Sequence, residues 1–258
     1  MKILFIGDIS GSVGRQIVEQ QIPLLKEKYE IDLIVANGEN AAHGKGITKK
    51  TYNQLIRSGI DVITMGNHTY DRDDIFTFIN EVDNLVVPAN LDPEGHGIST
   101  LVVNVKNKRI AISNLCGEVL IKDVFDSPFH MMEDILEEYN YVDFHIVDLH
   151  AETTSEKIAF AYAFEGRIAA VVGTHTHVQT ADERVSNGTA AISDLGMCGA
   201  YRSVLGRDVD EIVSRFTSDK KVSFTMASGE GIFCGCIVEI DEANNKAINI
   251  ERIQIRPY

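Results

Sequence analysis

The chain has 258 residues, of which 24 are Lys or Arg and 38 are Asp or Glu, and its formal net charge is −14 at pH 7. Hydrophobic residues make up 44% and charged residues 24% of the sequence, values that exclude a disordered or fibrous protein. An acidic chain of this kind lacks the basic face that binds nucleic acid or anionic membranes, so we expect no stable nucleic-acid binding. A small anionic substrate is compatible with this charge if a local cation reverses its sign.

The N-terminus predicts a buried strand rather than a signal peptide, because the apolar residues 3–6 are followed at once by Gly7 and Asp8. No apolar run of the sequence approaches the ~20 residues of a membrane-spanning helix, so we expect no membrane contact and a cytoplasmic location. The cysteines lack the spacing of a disulfide framework or a zinc finger. Of the four, Cys116, Cys198, Cys234 and Cys236, the last two alternate within an apolar run, and we expect these two to be reduced core residues.

Short apolar runs alternate with amphipathic segments along most of the chain, which predicts β-α-β units and a largely parallel sheet. Runs rich in β-branched residues predict buried strands at 3–6, 33–36, 62–65, 142–149 and 168–172. Helical periodicity predicts helices at about 14–29, 48–58, 72–81, 130–140, 155–165 and 208–217. Pro23 is expected to kink or interrupt the first of these helices.

Two regions depart from this alternation and predict β-hairpins. Residues 100–114 contain two apolar runs around a polar turn at 106–108, and residues 231–255 contain a second such pair, which we expect to complete a second sheet. No linker or repeat divides the chain. We therefore predict an α/β protein with a single domain at 1–258, and an insertion at about 88–130 that caps a cleft and favours small substrates.

Polar side chains follow each of the five predicted strands. The carboxyl ends of parallel strands share one edge of a sheet, where ligands bind, so these side chains are expected to meet. They are Asp8 after the first strand, Glu39 and Asn40 after the second, Asn67 and His68 after the third, His150 at the fourth, and His175 and His177 at the fifth. Carboxylate, amide and imidazole groups without thiolates suit Mn²⁺, Fe or Zn²⁺. They are too many for one ion with open positions, which favours two ions that share a bridging carboxylate.

Taken singly, these signals have ordinary structural explanations. Asp or Asn after Gly is more often a turn residue, and a lone strand-end histidine such as His150 is more often structural. The pair His175 and His177 is stronger, because residues two apart on an extended segment face one cavity. The convergence of all five strand ends favours a metal site. The other histidines follow no pattern and are interpreted as structural or surface residues: His43, His96, His130 and His145.

The order of these motifs resembles the calcineurin-like metallophosphoesterases, and most closely their YmdB-like branch of bacterial dimetal cyclic-nucleotide phosphodiesterases. The resemblance covers essentially the whole chain and is carried by residues 7–8, 37–42, 65–71, 148–157, 173–177 and 193–197. It implies a metallophosphoesterase-type αββα sandwich with a mixed, largely parallel sheet. The chain departs from the general family in two places. Ser10 stands where a histidine ligand is usual, and Glu39, followed by Asn40, replaces the usual bridging Asp.

The resemblance also implies a set of metal ligands and a substrate. Asp8, Glu39, Asn40 and His177 would hold one metal ion, and Glu39 would bridge to a second ion held by Asn67, His150 and His175. Asn40 would fill the place vacated at Ser10. The ions would be divalent or transition metals, Fe or Mn in preference to Zn or Mg. The expected reaction is hydrolysis of 2′,3′-cyclic nucleotides to nucleoside 3′-phosphates by a bridging hydroxide, and a homo-oligomer, dimer or tetramer, is expected.

His68 adjoins a predicted ligand, and imidazole titrates near neutral pH, so we predict that His68 is the general acid for the leaving oxygen. Asp71 is a candidate to orient it. Three alternatives remain open: a phosphomonoesterase, a protein phosphatase, and a metal-loaded regulatory protein with vestigial activity. Asp194 and the segment 196–199 belong either to a loop near the site or to a buried turn.

Overall fold

The computed structural model describes residues 1–218 and 223–257. The strands of this part of the chain are β1 (Lys2–Ile6), β2 (Asp8–Ile9), β3 (Leu33–Asn37), β4 (Val62–Thr64), β5 (Leu85–Val86), β6 (Thr100–Val105), β7 (Lys108–Cys116), β8 (Phe144–His150), β9 (Ala170–Thr174), β10 (Arg184–Ser186), β11 (Thr189–Ile192), β12 (Met197–Ala200), β13 (Gly231–Asp241) and β14 (Lys246–Ile255). The α-helices are α1 (Gly11–Tyr29), α2 (Lys49–Arg57), α3 (Pro128–Glu138), α4 (Thr154–Ala163) and α5 (Val209–Thr217).

The strands form two mixed sheets. The first has the order β2-β12-β13-β1-β3-β4-β5, with β14 paired to β13, and the second has the order β10-β11-β9-β8-β7-β6. The run β1-β3-β4-β5 is parallel, and so is the run β7-β8-β9-β11. The hairpin partners β6-β7 and β13-β14 are antiparallel. The prediction of a mixed, largely parallel α/β architecture is confirmed.

The two sheets pack face to face between two layers of helices. In β1, alternate side chains serve different cores: Ile3 and Phe5 pack between the sheets, whereas Leu4 and Ile6 pack beneath the first helical layer. α1 and α2 supply that layer, and α3 and α4 cover the outer face of the second sheet through residues such as Met132 and Phe160. The result is the αββα sandwich that the family resemblance implies.

Two helical predictions differ from the structure. α1 continues through Pro23, which lies on the exposed face of the helix. The carbonyl four residues earlier, which receives no hydrogen bond from the proline, can bind water there. The predicted helix at 72–81 consists of two short 3-10 helices, Asp73–Thr77 and Ile79–Glu81. The helical spacing of buried residues is real, since Ile75, Phe78 and Ile79 are all buried. The backbone of Phe78, at φ −142°, breaks the continuous helix.

The two hairpins form as predicted but lie elsewhere than expected. The C-terminal hairpin does not complete a second sheet, because β13 pairs antiparallel with β1 inside the first sheet. The hairpin of the predicted cap at 88–130 is also not a cap: β7 pairs in parallel with β8 and is buried from Ile110 to Cys116, so β6 and β7 belong to the second sheet. Long apolar runs of this kind are buried on both faces, which requires a place inside the sandwich. The assignment of a single domain stays a prediction.

Two simpler expectations concern cysteines and membrane segments. Cys234 and Cys236 are buried and free, as predicted, and Cys116 and Cys198 are buried and free as well. None of the described helices is both long enough and apolar enough to cross a membrane.

Candidate metal centre

The predicted site residues meet at one edge of the sandwich, and both sheets contribute to it. Asp8, Glu39, Asn40, Asn67 and His68 come from the first sheet and the loops that follow its strands, and His150, His175 and His177 come from the second. The expectation that one sheet edge carries them all is wrong, because β8 and β9 pair with β7 and not with the strands around β1. The two sheets face each other, so the carboxyl ends of their parallel strands lie at the same edge.

Gly66 allows the two sheets to approach closely at this edge. A Cβ atom at this position would collide with the His150 ring and would lie 2.5 Å from Glu39 Oε2, so these side chains would have to move apart. The glycine before Asn67 is therefore required for the contact between Glu39 and His150.

One cluster of donor atoms surrounds His150. Its Nε2 lies 3.0 Å from Asn67 Oδ1, 3.0 Å from His175 Nδ1 and 3.3 Å from Glu39 Oε1. One donor atom each from Glu39, His150 and His175 lies within 4.8 Å of the others. Two imidazole nitrogens, an amide oxygen and a carboxylate oxygen are a donor set that suits a divalent transition metal.

A second cluster adjoins it through Glu39. Asn40 Nδ2 lies 2.8 Å from Glu39 Oε1 and 3.1 Å from His177 Nε2, and His177 Nε2 lies 3.7 Å from Asp8 Oδ1. Asp8 is completely buried, yet its Oδ1 has no hydrogen-bond partner among the described residues. A buried carboxylate oxygen without a partner is strongly unfavourable unless a cation compensates it. The residues present therefore fit a metal ion at this second position as well.

The electrostatics of the buried site point in the same direction. Burial raises the pKa of Asp8 to about 6, although His177 and His150 lower it. Burial also favours neutral Glu39, but the charge and hydrogen bond of His150 hold the pKa of Glu39 well below its usual range. Burial opposes protonation of His150, but the carboxylates of Glu39 and Asp8 raise its pKa to about 9. Burial and the charge of His150 lower the pKa of His175 to about 3. A protonated imidazole thus compensates the carboxylates, a role that a metal cation fills with more charge.

A chain of hydrogen bonds orients His150. Its Nδ1 lies 2.9 Å from Thr174 Oγ1, and this hydroxyl donates to Asp148 Oδ1 at 2.7 Å. Thr64 Oγ1 and Asn37 Nδ2 donate to Asp148 Oδ2 at 2.5 and 3.1 Å. His150 Nδ1 therefore donates, which leaves Nε2 as the ligand atom. Asp148 is not among the predicted site residues, although a charged residue inside an apolar strand is a usable signal.

The segment from His175 to His177 is not extended, contrary to the prediction. Both histidines have positive φ, 101° and 64°, and the ring atoms that face the site are Nδ1 of His175 and Nε2 of His177. Asp194 holds this unusual backbone in place. Its Oδ2 accepts from the Thr176 amide at 3.0 Å and from Lys157 Nζ at 2.7 Å, and its Oδ1 accepts from the Gly196 amide at 2.8 Å. Asp194 is thus both buried and part of the support of the site.

Removal of the Asp194 carboxylate is expected to destabilise the protein by about 3–5 kcal/mol, because it leaves the Lys157 ammonium buried without a partner. The side chains of Lys157 and Asp194 are 2% and 0% exposed. Urea denaturation of Asp194→Ala measures this loss. Glu133→Ala breaks the exposed ion pair with Arg167 and is the matched control, for which we expect little change. Equal effects of the two substitutions would contradict the prediction.

His68 lies in the cleft above the two clusters. The cleft has a volume of about 330 Å³, and Glu39, Asn40, His175 and His177 line it with His68. His68 Nδ1 lies 2.9 Å from Asp71 Oδ2, as expected of an orienting carboxylate, and the side chain is 25% exposed. Its backbone amide donates to Glu39 Oε2 at 3.0 Å. The imidazole is thus oriented, reachable from the cleft and close to the predicted ligands.

Two further residues of the cleft were not predicted as site residues. Glu152 Oε2 lies 2.9 Å from His175 Nε2, so it fixes the ring whose Nδ1 faces His150. Arg207 lines the cleft and donates from Nη2 to the Gly44 carbonyl at 2.9 Å. Glu152 follows a predicted strand end, which is a usable signal. Arg207 lies in a loop with no local pattern, and no sequence signal identifies it.

Comparisons with known proteins identify the family of this chain. A model of the family described as YmdB-like protein matches residues 4–253. The 2′,3′-cyclic-nucleotide 2′-phosphodiesterase of Bacillus subtilis (strain 168) is 48% identical over 258 aligned residues, which cover 99% of this chain and 97% of the relative.

Solved structures with the same fold include two that also resemble this chain in sequence. A novel phosphatase from Mycoplasma pneumoniae has a TM-score of 0.94 at 37% identity and covers 99% of this chain and 93% of its own. A hypothetical protein from Thermus thermophilus has a TM-score of 0.92 at 33% identity and covers 99% of both chains. A 5′-nucleotidase precursor from the same organism, with a TM-score of 0.55 at 14% identity, covers 99% of this chain and 54% of its own and shares the fold alone. The chain belongs to the YmdB-like protein family.

Proposed function

We propose that this phosphoesterase is a metal-dependent phosphodiesterase that opens 2′,3′-cyclic nucleotides at the 2′ bond and releases nucleoside 3′-phosphates. The observation that carries the proposal is the convergence of donor atoms from the buried Glu39 and His150 and the half-buried His175, beside the His68–Asp71 pair. The name of the Bacillus subtilis relative supports the substrate class and the bond that is broken.

The two donor clusters suggest how the ions would be held. Asp8, Asn40 and His177 would hold one ion and Asn67, His150 and His175 the other. Oε1 of Glu39 adjoins both clusters, at 2.8 Å from Asn40 Nδ2 and 3.3 Å from His150 Nε2, which supports a bridging role. Rotation of the Asn40 amide exchanges its oxygen and nitrogen and turns the oxygen toward the cluster.

The metal ions, Fe or Mn in preference to Zn or Mg, would activate water and neutralise the phosphate charge when bound. The protein's own groups do the rest. Asp71 accepts a hydrogen bond from Nδ1 of His68 and stabilises the imidazolium form of the ring. Nε2 of His68 then donates its proton to the leaving 2′ oxygen. Thr174 and Glu152 fix the rings of His150 and His175, so the ligand atoms are in place before substrate arrives.

A phosphomonoesterase is the second candidate, because the Mycoplasma pneumoniae relative is described as a phosphatase and the cleft opens to solvent. A protein phosphatase is distinguished by the same analysis of reaction products. The remaining alternative, a regulatory protein with vestigial activity, predicts negligible turnover on every substrate. A cytoplasmic location and a homo-oligomer stay predictions, the latter checked by light scattering.

The purified metal-loaded protein is expected to hydrolyse 2′,3′-cyclic nucleotides much faster than nucleoside monophosphates or a phosphopeptide. Chromatographic separation of the products identifies the bond that is broken, and nucleoside 3′-phosphate is the expected product. Faster release of inorganic phosphate from monoesters would favour the second candidate. Formation of the nucleoside 2′-phosphate would contradict the proposed position of the leaving oxygen.

A further inference from the structure

Helix α5 carries an apolar face that the described part of the chain does not bury. No residue of this helix is buried, and Phe216 is 85% exposed. Phe224, which follows the helix in the chain, and Leu205, which precedes it, are also exposed. Single exposed apolar residues are ordinary, but a cluster of them on the surface often marks a binding site.

These residues surround a cavity that shares two lining residues with the metal cleft. The cavity, here called the α5 pocket, has a volume of about 610 Å³ and is lined by Val204, Leu205, Arg207, Ile212, Phe216 and Phe224. Leu205 and Arg207 also line the cleft of the metal centre. The size lies within the ordinary range for small-molecule sites. The two spaces therefore adjoin at Leu205 and Arg207.

The loop between the two spaces is tied to the metal centre. His177, a predicted ligand, makes a 3.1 Å hydrogen bond from Nδ1 to the Leu205 carbonyl. Gly206 has a φ of 86°, and a Cβ at this position would lie 2.6 Å from Ser10 Oγ. The glycine thus allows the loop to pack tightly against the first sheet. Leu205, which lines the α5 pocket, is thus itself in contact with a predicted ligand of the metal site.

The chemistry of the α5 pocket matches a nucleobase. Phenylalanine rings and arginine guanidinium groups are the surfaces on which bases stack in single-stranded nucleic-acid sites. Arg215 adds a second guanidinium to the pocket beside Arg207. In a chain with a net charge of −14, these arginines place positive charge next to the site of an anionic substrate.

We propose that the α5 pocket binds the nucleobase of the substrate, with Phe216 and Phe224 as stacking surfaces, while the phosphate occupies the metal cleft. The inference rests on the proposed function and extends it. Residues of the α5 pocket, outside the metal centre, would then distinguish nucleotides from other cyclic phosphodiesters. Because stacking on an aromatic ring tolerates every base, the inference predicts acceptance of several nucleobases.

The test compares a substrate with a base and a substrate without one. Kinetics are measured with 2′,3′-cyclic AMP and with glycerol 1,2-cyclic phosphate for the unaltered protein, Phe216→Ala, Phe224→Ala and Phe216→Tyr. The ratio of the two kcat/KM values is expected to fall about tenfold in each alanine variant and to be retained in Phe216→Tyr, which keeps the ring. Leu24→Ala removes an exposed apolar side chain from α1 and should leave the ratio unchanged.

Several outcomes would overturn the inference. An unchanged ratio in both alanine variants means that the base does not touch the α5 pocket. An equal loss on both substrates, together with a lower mass by light scattering, means that a second copy of the chain covers this surface instead. If the unaltered protein hydrolyses both substrates, either of these two results contradicts base binding in the α5 pocket and leaves the proposed function intact. If it hydrolyses neither, the proposed function fails, and the inference fails with it.

Discussion

Substitution of Glu39 by glutamine is expected to lower the metal content from about two ions per chain to less than one and to reduce phosphodiester turnover to background. Glu39 is 1% exposed and adjoins both donor clusters. Glutamine keeps the size of the side chain but removes its charge, and it cannot join two cations. Elemental analysis of the purified variant and a turnover assay with 2′,3′-cyclic AMP measure the two effects.

Glu156→Gln is the matched control for this substitution. Glu156 is a buried carboxylate at the same edge of the sandwich, and its Oε1 accepts from the Glu118 amide at 2.8 Å, a contact that glutamine preserves. This variant is expected to retain both ions and most of its turnover. Equal turnover in Glu39→Gln and the unaltered protein would mean that the measured activity comes from a contaminant.

Chelation provides the same test without mutation. Treatment of the unaltered protein with a chelator is expected to abolish turnover, and added Fe²⁺ or Mn²⁺ is expected to restore it. Less than one bound ion per chain combined with chelator-resistant turnover would contradict the dimetal interpretation.

Substitution of His68 by alanine is expected to reduce kcat by about 10²–10⁴-fold, the usual contribution of a general acid, while both metal ions remain bound. The contact between the His68 backbone amide and Glu39 survives, because it does not involve the imidazole. The loss is expected to shrink for a p-nitrophenyl phosphodiester, since p-nitrophenolate leaves without a proton. Asp71→Asn should lower kcat less than His68→Ala does, because it weakens only the orientation of the ring.

His96→Ala is the matched control for His68→Ala. His96 pairs with Asp92 at 2.7 Å in the same way that His68 pairs with Asp71, but it lies outside the cleft. Unchanged turnover is expected for this variant. Turnover that is also unchanged in His68→Ala would remove His68 from the mechanism. Parallel loss of metal and turnover would make His68 a structural support of the ligands.

Local sequence patterns predict the site better than they predict the arrangement of the strands. Each predicted strand ends in polar side chains that the structure brings together, because a buried parallel strand and the loop after it are both visible in a short window of sequence. Which strands pair is decided by distant segments: β13 lies next to β1 although more than two hundred residues separate them in the chain. No local window contains that information. The division of the ligands between two sheets could not be predicted for the same reason.

Side-chain details of the site depend on tertiary contacts too. The left-handed backbone at His175 and His177 exists because Asp194, supported by Lys157, fastens the amide of Thr176 between them. A histidine pair two residues apart predicts an extended segment unless that anchor is known. The α5 pocket likewise arises where a loop of unremarkable composition packs beside the cleft, and only the structure places Arg207 there.

Because the proposed ligand atoms come from both halves of the sandwich, bound metal ions would also hold the two halves together. Asp8 and Glu39 belong to one sheet and its loops, and His150 belongs to the other, so the halves cannot separate without breaking the site. An ion that binds only the closed arrangement adds its binding free energy to the stability of the fold by mass action. The proposed hydrolysis and the contact between the two sheets would therefore depend on the same few side chains.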